Sequence, residues 1–321
     1  MAGGLAVVLS GGGAKGAFQV GVLDELIVRR GVRVDVFAGV STGAIQALGG
    51  AQDDVPGLLA AWLALRGNRD VYRDRGGVIG GLLGNDSLYD ASPIRARIKA
   101  FADETRLRAT GKRLLLGVVS LASGRFRLVA ENTPGIANWV YASCAMPVFF
   151  RPLVTRAADG AEEQWVDGGV RNVTPLDAAL EQRPRAVLVV LASPATPAPT
   201  PTRRYGDLVS VALRSVSLLQ SEVVANDTAN AALINDLLAA RERQEAALVA
   251  AGVGADVKAR VLAPLDAELS KYRFAPIRII APDAEVAETL EFEPARIRAG
   301  IDAGRRAAAA AWPGLEPLLR G

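Results

Sequence analysis

Along the chain, apolar residues gather into short unbroken runs, many of them closed by glycine and followed by a stretch with helical spacing. Residues 5–10, LAVVLS, form a run of strand length. GGGAKG follows at once, and then AFQVGVLDELIVRR, in which Phe18, Val22 and Leu26 keep helical spacing. VDVFAGV repeats the pattern, with Ser41 at the turn and TGAIQALGG as the helix. Residues 51–66 read as another helix and 67–93 as a glycine-punctuated loop region. SPIRARIKAFA predicts a helix over about 93–102, with Ser92 as its N-cap and Pro93 at the first helical position. RLLLGVVSL and GRFRLVA read as strands joined through ASG, NWVYASCAMPVFF as a helix ended near Pro147, and EEQWVDGGV as a short strand running into Asp167. RAVLVVLAS, residues 185–193, is the most strand-like run of the second half.

PATPAPTPT then predicts an extended connector. Residues 206–250 read as one long helix with more helix to about 271, PIRIIAP as a last strand, and 293–312 as an amphipathic helix opened by Glu293 and Pro294. Alternating strand and helix segments predict an α/β architecture with a doubly covered sheet. The length of 321 residues suits one domain, with core motifs in 5–195, a helical insertion over about 203–272, and a last strand plus C-terminal helix over about 275–312.

Composition narrows the chemistry. A net charge of +3, with arginines scattered among acids, gives no reason to expect a nucleic-acid partner. A single cysteine, Cys144, excludes an intrachain disulfide, and the absence of histidine excludes a Cys/His zinc site. No dense acidic loop proposes calcium or magnesium, so neither metal nor cofactor is expected. The opening residues lack a basic n-region, and no apolar run reaches the roughly 18–20 residues of a membrane helix, so a soluble, cytoplasmic protein is expected.

Three short motifs carry candidate chemistry. Gly11-Gly12-Gly13-Ala14-Lys15-Gly16 satisfies G-x-G-x-x-G between a strand and a helix, and Asp35 follows at the distance a dinucleotide fingerprint wants. The same loop also reads as a tight packing turn, or as a row of N–H groups able to stabilise an oxyanion. Gly39-x-Ser41-x-Gly43 lies between strand and helix, the context in which this pattern lifts a serine hydroxyl above a sheet. A Ser-His-Asp triad is impossible here, so Ser41 is either inert or activated by another base: Lys15, or more simply a carboxylate kept from water. In WVDGGVRN, Asp167 supplies that carboxylate, unless it only closes an Asx-type turn.

Taken together, these segments resemble the patatin-like phospholipase family. GGGAKGAFQVGVLDEL resembles its oxyanion-loop block, GVSTGAI its nucleophile elbow, ASCAMPVFF its Ala-Ser-x-x-x-Pro block, and VDGGVRNVTP its Asp-Gly-Gly block. The four blocks cover about residues 5–175, and LEFEPARIRAGIDAGRRAA resembles the family's bacterial C-terminal helix. The resemblance implies a three-layer α/β/α fold with a mainly parallel central sheet. It implies a Ser-Asp dyad of Ser41 and Asp167, and an oxyanion hole from the N–H groups of Gly11, Gly12 and Gly13. The substrate would be a lipid or acyl ester, cleaved through an acyl-enzyme next to an apolar tunnel. Gln46 departs from the asparagine many relatives carry, and Ser143 and Pro147 are assigned to packing near the site. The helical insertion, with Leu208, Val211, Val216, Leu219 and Val223, could cover the tunnel, touch a membrane surface, pack into its own core or form a homo-oligomer contact. Two other functions stay open: a dinucleotide-binding protein using the glycine loop, and a non-catalytic lipid-binding relative.

Overall fold

The computed structural model describes residues 4–76, 86–156, 160–196, 205–270, 272 and 274–319, without the side chains of residues 208, 220, 223 and 224. Part of the glycine-punctuated loop and most of the proline-rich connector lie outside the described residues, as do Leu208 and Val223 of the insertion at the side-chain level. The strands are β1 (Leu5–Leu9), β2 (Val36–Val40), β3 (Arg73–Asp74), β4 (Tyr89–Asp90), β5 (Arg113–Ser120), β6 (Phe126–Ala130), β7 (Leu153–Arg156), β8 (Glu162–Asp167), β9 (Ala186–Val190) and β10 (Ile277–Ile280). The helices are α1 (Gly16–Leu23), α2 (Thr42–Ala51), α3 (Val55–Leu63), α4 (Ser92–Phe101), α5 (Glu104–Ala109), α6 (Ile136–Cys144), α7 (Leu176–Glu181), α8 (Leu208–Ala250), α9 (Ala255–Leu269) and α10 (Pro294–Leu319).

The main sheet follows the hydrogen-bonded path β10-β9-β1-β2-β5-β8-β7, with β6 also paired to β5, while β3 and β4 form a separate antiparallel pair. β10, β9, β1, β2 and β5 are parallel neighbours, and β6, β7 and β8 join antiparallel. The unbroken apolar run of β1 is explained by burial on both faces. Leu5, Val7 and Leu9 enter one core cluster with Phe18, Leu48 and Ile301, whereas Ala6 and Val8 enter a second with Leu176, Leu180 and Ala231. The period-two alternation thus places α1, α2 and α10 over one face and α7 with part of α8 over the other. This is the α/β/α layering expected.

The long helix α8 does more than fill a gap between β9 and β10. Asp207 caps it, accepting from the Ser210 N–H at 2.8 Å. Val209, Leu213 and Val216 pack against the first core cluster, but Ala231 and Ile234 belong with the second. α8 therefore passes from one face of the sheet to the other. Val211 and Leu219 remain exposed.

Several local expectations need correction. Ser92 is the first residue of α4, not its cap; the preceding Asp90 accepts from both the Ser92 N–H (2.9 Å) and hydroxyl (2.7 Å). α10 does not stop near residue 312 but continues to Leu319 through Pro313 and Pro317, where Leu315 and Leu319 still have core to bury against. β7, α5 and α7 are each six residues or fewer and were not anticipated.

Candidate active site

Ser41 stands where β2 stops and α2 begins. Its backbone sits at φ 57°, ψ −130°, a region that a non-glycine residue occupies only when its surroundings hold it there. A Cβ on Gly39 would run into the Gly43 carbonyl, and one on Gly43 into the Leu9 carbonyl at the end of β1, so both glycines are required by close approach. The Ser41 N–H donates to Ser143 Oγ at 2.9 Å, and the fully buried Ser143 hydroxyl donates to the Gly117 carbonyl at 2.7 Å. Ser143, read from sequence as packing alone, is thus a hydrogen-bonded prop between the turn and β5. The Cys144 thiol donates to the Ser41 carbonyl at 3.1 Å, and burial, then the nearby Asp167, pushes its pKa well up. That environment disfavours a thiolate nucleophile.

Asp167 reaches the same place from the opposite direction. β2 pairs with β5 as far as Val40 opposite Gly117, and β8 pairs with β5 from Trp165 opposite Ser120 to Asp167 opposite Val118. β6 occupies the other edge of β5, where Leu128 faces Gly117 and Arg127 faces Val118. β8 must therefore continue the line of β2, and the two strands meet end to end at Ser41 and Asp167. Burial pushes the Asp167 carboxyl up from 3.8 to about 7; the Ser41 side chain, as hydrogen-bond partner, and the Gly169 N–H, 2.7 Å from Oδ1, pull it down by less. The Asx-type bond to Gly169 exists, but it does not use up the carboxylate.

The glycine loop supplies N–H groups on the other side of Ser41, with one correction. Gly11 is not available, because its N–H donates to the Val173 carbonyl at 3.2 Å. Among the described residues the N–H groups of Gly12 and Gly13 have no partner, and both glycines line a cavity together with Ser41. Gly13 has a φ of 59° and lies against the Thr289 carbonyl with no room for a Cβ; the same carbonyl accepts from the Ala14 N–H at 2.9 Å. Asp35 is at the wrong end of the sheet for a dinucleotide site. It precedes β2 and accepts from the Leu5 N–H at 3.0 Å where β1 begins, the full length of β1 away from the loop.

The cavity itself is apolar. Counting its open mouth it encloses about 980 Å³, and its walls include Ile45, Leu58, Trp62, Ile98, Phe101 and Phe292. Among the described residues, none from α8 lines it. Of the roles left open for the insertion, covering the tunnel gains no support from these walls, which come from α3, α4 and the segment before α10 instead.

A family model described as patatin-like phospholipase matches residues 7–180, more than half of the chain. The chain belongs to the patatin-like phospholipase family. Membership points to a hydrolase of lipid acyl esters. The patatin-like chain also aligns with the crystal structure of VipD from Legionella pneumophila at 16% identity and a TM-score of 0.41, covering 97% of this chain and 67% of that one. No curated protein matches it.

Two groups near the site of this patatin-like protein take roles that the sequence left open. Lys15 is turned away from Ser41: buried, its Nζ pairs with Glu285 Oε2 at 2.9 Å and donates to Ser193 Oγ at 3.1 Å. Gln46 joins α2 to the cavity wall, since its Oε1 accepts from Trp62 Nε1 at 3.3 Å and its Nε2 donates to Thr42 Oγ1 at 3.1 Å. Thr289 and Glu285 were not singled out from sequence, because nothing local marks a residue whose partner lies some 270 positions earlier. Among the described residues no helix is long and apolar enough to cross a membrane.

Proposed function

We propose that this patatin-like chain hydrolyses lipid acyl esters with Ser41 as nucleophile, Asp167 as general base, and the N–H groups of Gly12 and Gly13 as oxyanion donors. One observation carries the reading: the Ser41 side chain lies close enough to a buried carboxylate to lower its pKa, burial still pushes that pKa up to about 7, and Ser41 lines an apolar cavity. An aspartate in water is too weak a base to take a serine proton; one held near neutrality is far better matched to the task. Ser41 Oγ would attack the ester carbonyl as its proton passes to Asp167, and the oxyanion would lie against Gly12 and Gly13. Collapse would expel the alcohol, which takes the proton from Asp167, and leave an acyl-serine. Water, deprotonated by Asp167, would then release the fatty acid and restore Ser41. The apolar walls suit the acyl chain.

We read the chain as one domain in which 203–272 is inserted. Support comes from β9 and β10, adjacent parallel strands of one sheet on either side of it. α8 buries Ala231 in the core, so it is part of the fold and not a detachable cover. The test of function is hydrolysis of p-nitrophenyl esters of graded chain length. Wild type should cleave them, while folded Ser41→Ala and Asp167→Asn should each lose about 10³-fold or more in kcat. Unchanged turnover in Ser41→Ala would overturn the reading.

A further inference from the structure

A buried polar network begins in the wall of the apolar cavity. Trp62 lines that cavity, and its indole Nε1 donates to Gln46 Oε1 at 3.3 Å. Gln46 is fully buried, and its Nε2 lies 3.1 Å from Thr42 Oγ1 and 3.4 Å from both the Gly16 carbonyl and Gln19 Oε1. Gln19, equally buried, donates through Nε2 to the carbonyls of Ser10 at 3.0 Å and Val190 at 2.9 Å. The partners fix both amides, because an indole N–H only donates and a backbone carbonyl only accepts. A Cβ on Gly16 would run into Thr42 and Gln46, so α1 and α2 are pressed together around the network. It runs from the cavity wall to the neighbours of the proposed reacting groups: Thr42 directly follows Ser41, and Ser10 directly precedes Gly11. Asparagine at position 46 would stand one methylene short of Trp62.

We propose that Gln46 is a positioning residue through which Trp62 makes turnover, and not only binding, depend on the length of the acyl chain. The inference rests on the acyl-hydrolase reading and names the residues that set its chain-length preference. Leu58 and Ile98 offer the chain apolar contact, which lowers KM. Trp62 offers similar contact from a side chain tethered to the nucleophile turn and, through Gln19, to the strand end that leads into the glycine loop. A chain seated against its ring restrains Ser41 and the N–H groups of Gly12 and Gly13 in the geometry of attack, so part of the binding energy appears in kcat. The network is suited to this because both amides use their Oε1 and their Nε2, which makes it a rigid link between segments distant in sequence. A chain too short to reach Trp62 leaves the tether unused.

The test measures kcat and KM separately for p-nitrophenyl esters from acetate to decanoate, each below its aggregation concentration. Wild type is compared with Trp62→Phe, Gln46→Met and the double variant, all checked for folding by circular dichroism. In wild type, kcat should rise about tenfold from the shortest ester to the best one, the scale of one buried hydrogen bond. Trp62→Phe keeps an aromatic wall and removes the indole N–H, while Gln46→Met keeps the reach of the side chain and removes the amide. Each should flatten the rise in kcat to within about twofold while KM still falls with chain length. The double variant should be no flatter than either single one, because both changes remove the same link. Where Gln46→Met does not fold, Trp62→Phe alone decides. A wild-type kcat that does not vary with chain length, a rise left intact in Trp62→Phe, or losses confined to KM would overturn the proposal and leave the hydrolase reading standing. No cleavage of any ester by wild type would overturn both.

Discussion

Asp167 and Asp227 are both pushed up to about 7, and burial is the first cause in each. Their settings differ. Asp167 ends a core strand beside Ser41, which lines the apolar cavity, whereas Asp227 lies on α8, accepts from the Thr174 N–H at 3.3 Å, and is raised further by the charge of Asp177. Neither aspartate is itself among the walls of that cavity, but Ser41, beside Asp167, is. A displaced pKa therefore does not identify a catalytic group by itself; what distinguishes Asp167 is a neighbouring serine that itself lines a cavity with space for a substrate.

The largest expected effect separates the two aspartates by activity and stability at once. A carboxyl group whose folded pKa lies above its unfolded value stabilises the fold at low pH, and that contribution is lost as pH rises from about 4 through about 7. Asp167→Asn keeps an acceptor for Gly169 and removes the buried charge, so at pH 8 it should be more stable than wild type by a few kcal/mol in urea titration, on the order of its pKa shift. The same variant should have lost catalysis. A variant that is inactive and less stable at pH 8 would mean the carboxylate is held by favourable contacts and not against them.

Next in size is the prop behind Ser41. Ser143→Ala removes the acceptor of the Ser41 N–H and the donor to Gly117. kcat should fall about tenfold, as expected for a misplaced nucleophile, with KM for a short ester little changed. Loss through KM alone would make Ser143 a packing residue after all. The smallest effect belongs to Asp227→Asn. Ester hydrolysis should stay at the wild-type level, and the fall in stability between pH 4 and pH 7 should become shallower, by less than for Asp167 because Asp227 is partly open to water. A marked loss of turnover in this variant would erase the distinction drawn here.

The motif half of the chain was legible because its signals are local. LAVVL, VFAGV and AVLVV are unbroken apolar runs since β1, β2 and β9 are covered on both faces, and Gly39 and Gly43 announce a turn that only their lack of side chains permits. Elements of six residues or fewer, such as β7 and α7, carry too few periods to stand out. The site was legible in its residues but not in its details. That Gly11 gives its N–H to Val173, that Lys15 is claimed by Glu285, and that Thr289 closes the glycine loop are all contacts between distant segments. The role of α8 was illegible for the same reason: its exposed Val211 and Leu219 suggested a cover, while the crossing from one face of the sheet to the other depends on where its ends are anchored.

The most direct measurement is covalent labelling of the intact chain with a long-chain fluorophosphonate, followed by mass spectrometry at a series of pH values. Ser41 Oγ should displace fluoride from phosphorus, giving one adduct per chain that maps to Ser41, with a labelling rate that is level above pH 7, falls about tenfold per pH unit below it, and is nearly abolished in Asp167→Asn. Labelling that maps elsewhere, or that proceeds at Ser41 equally well in Asp167→Asn, would contradict the pairing of these two residues as nucleophile and base.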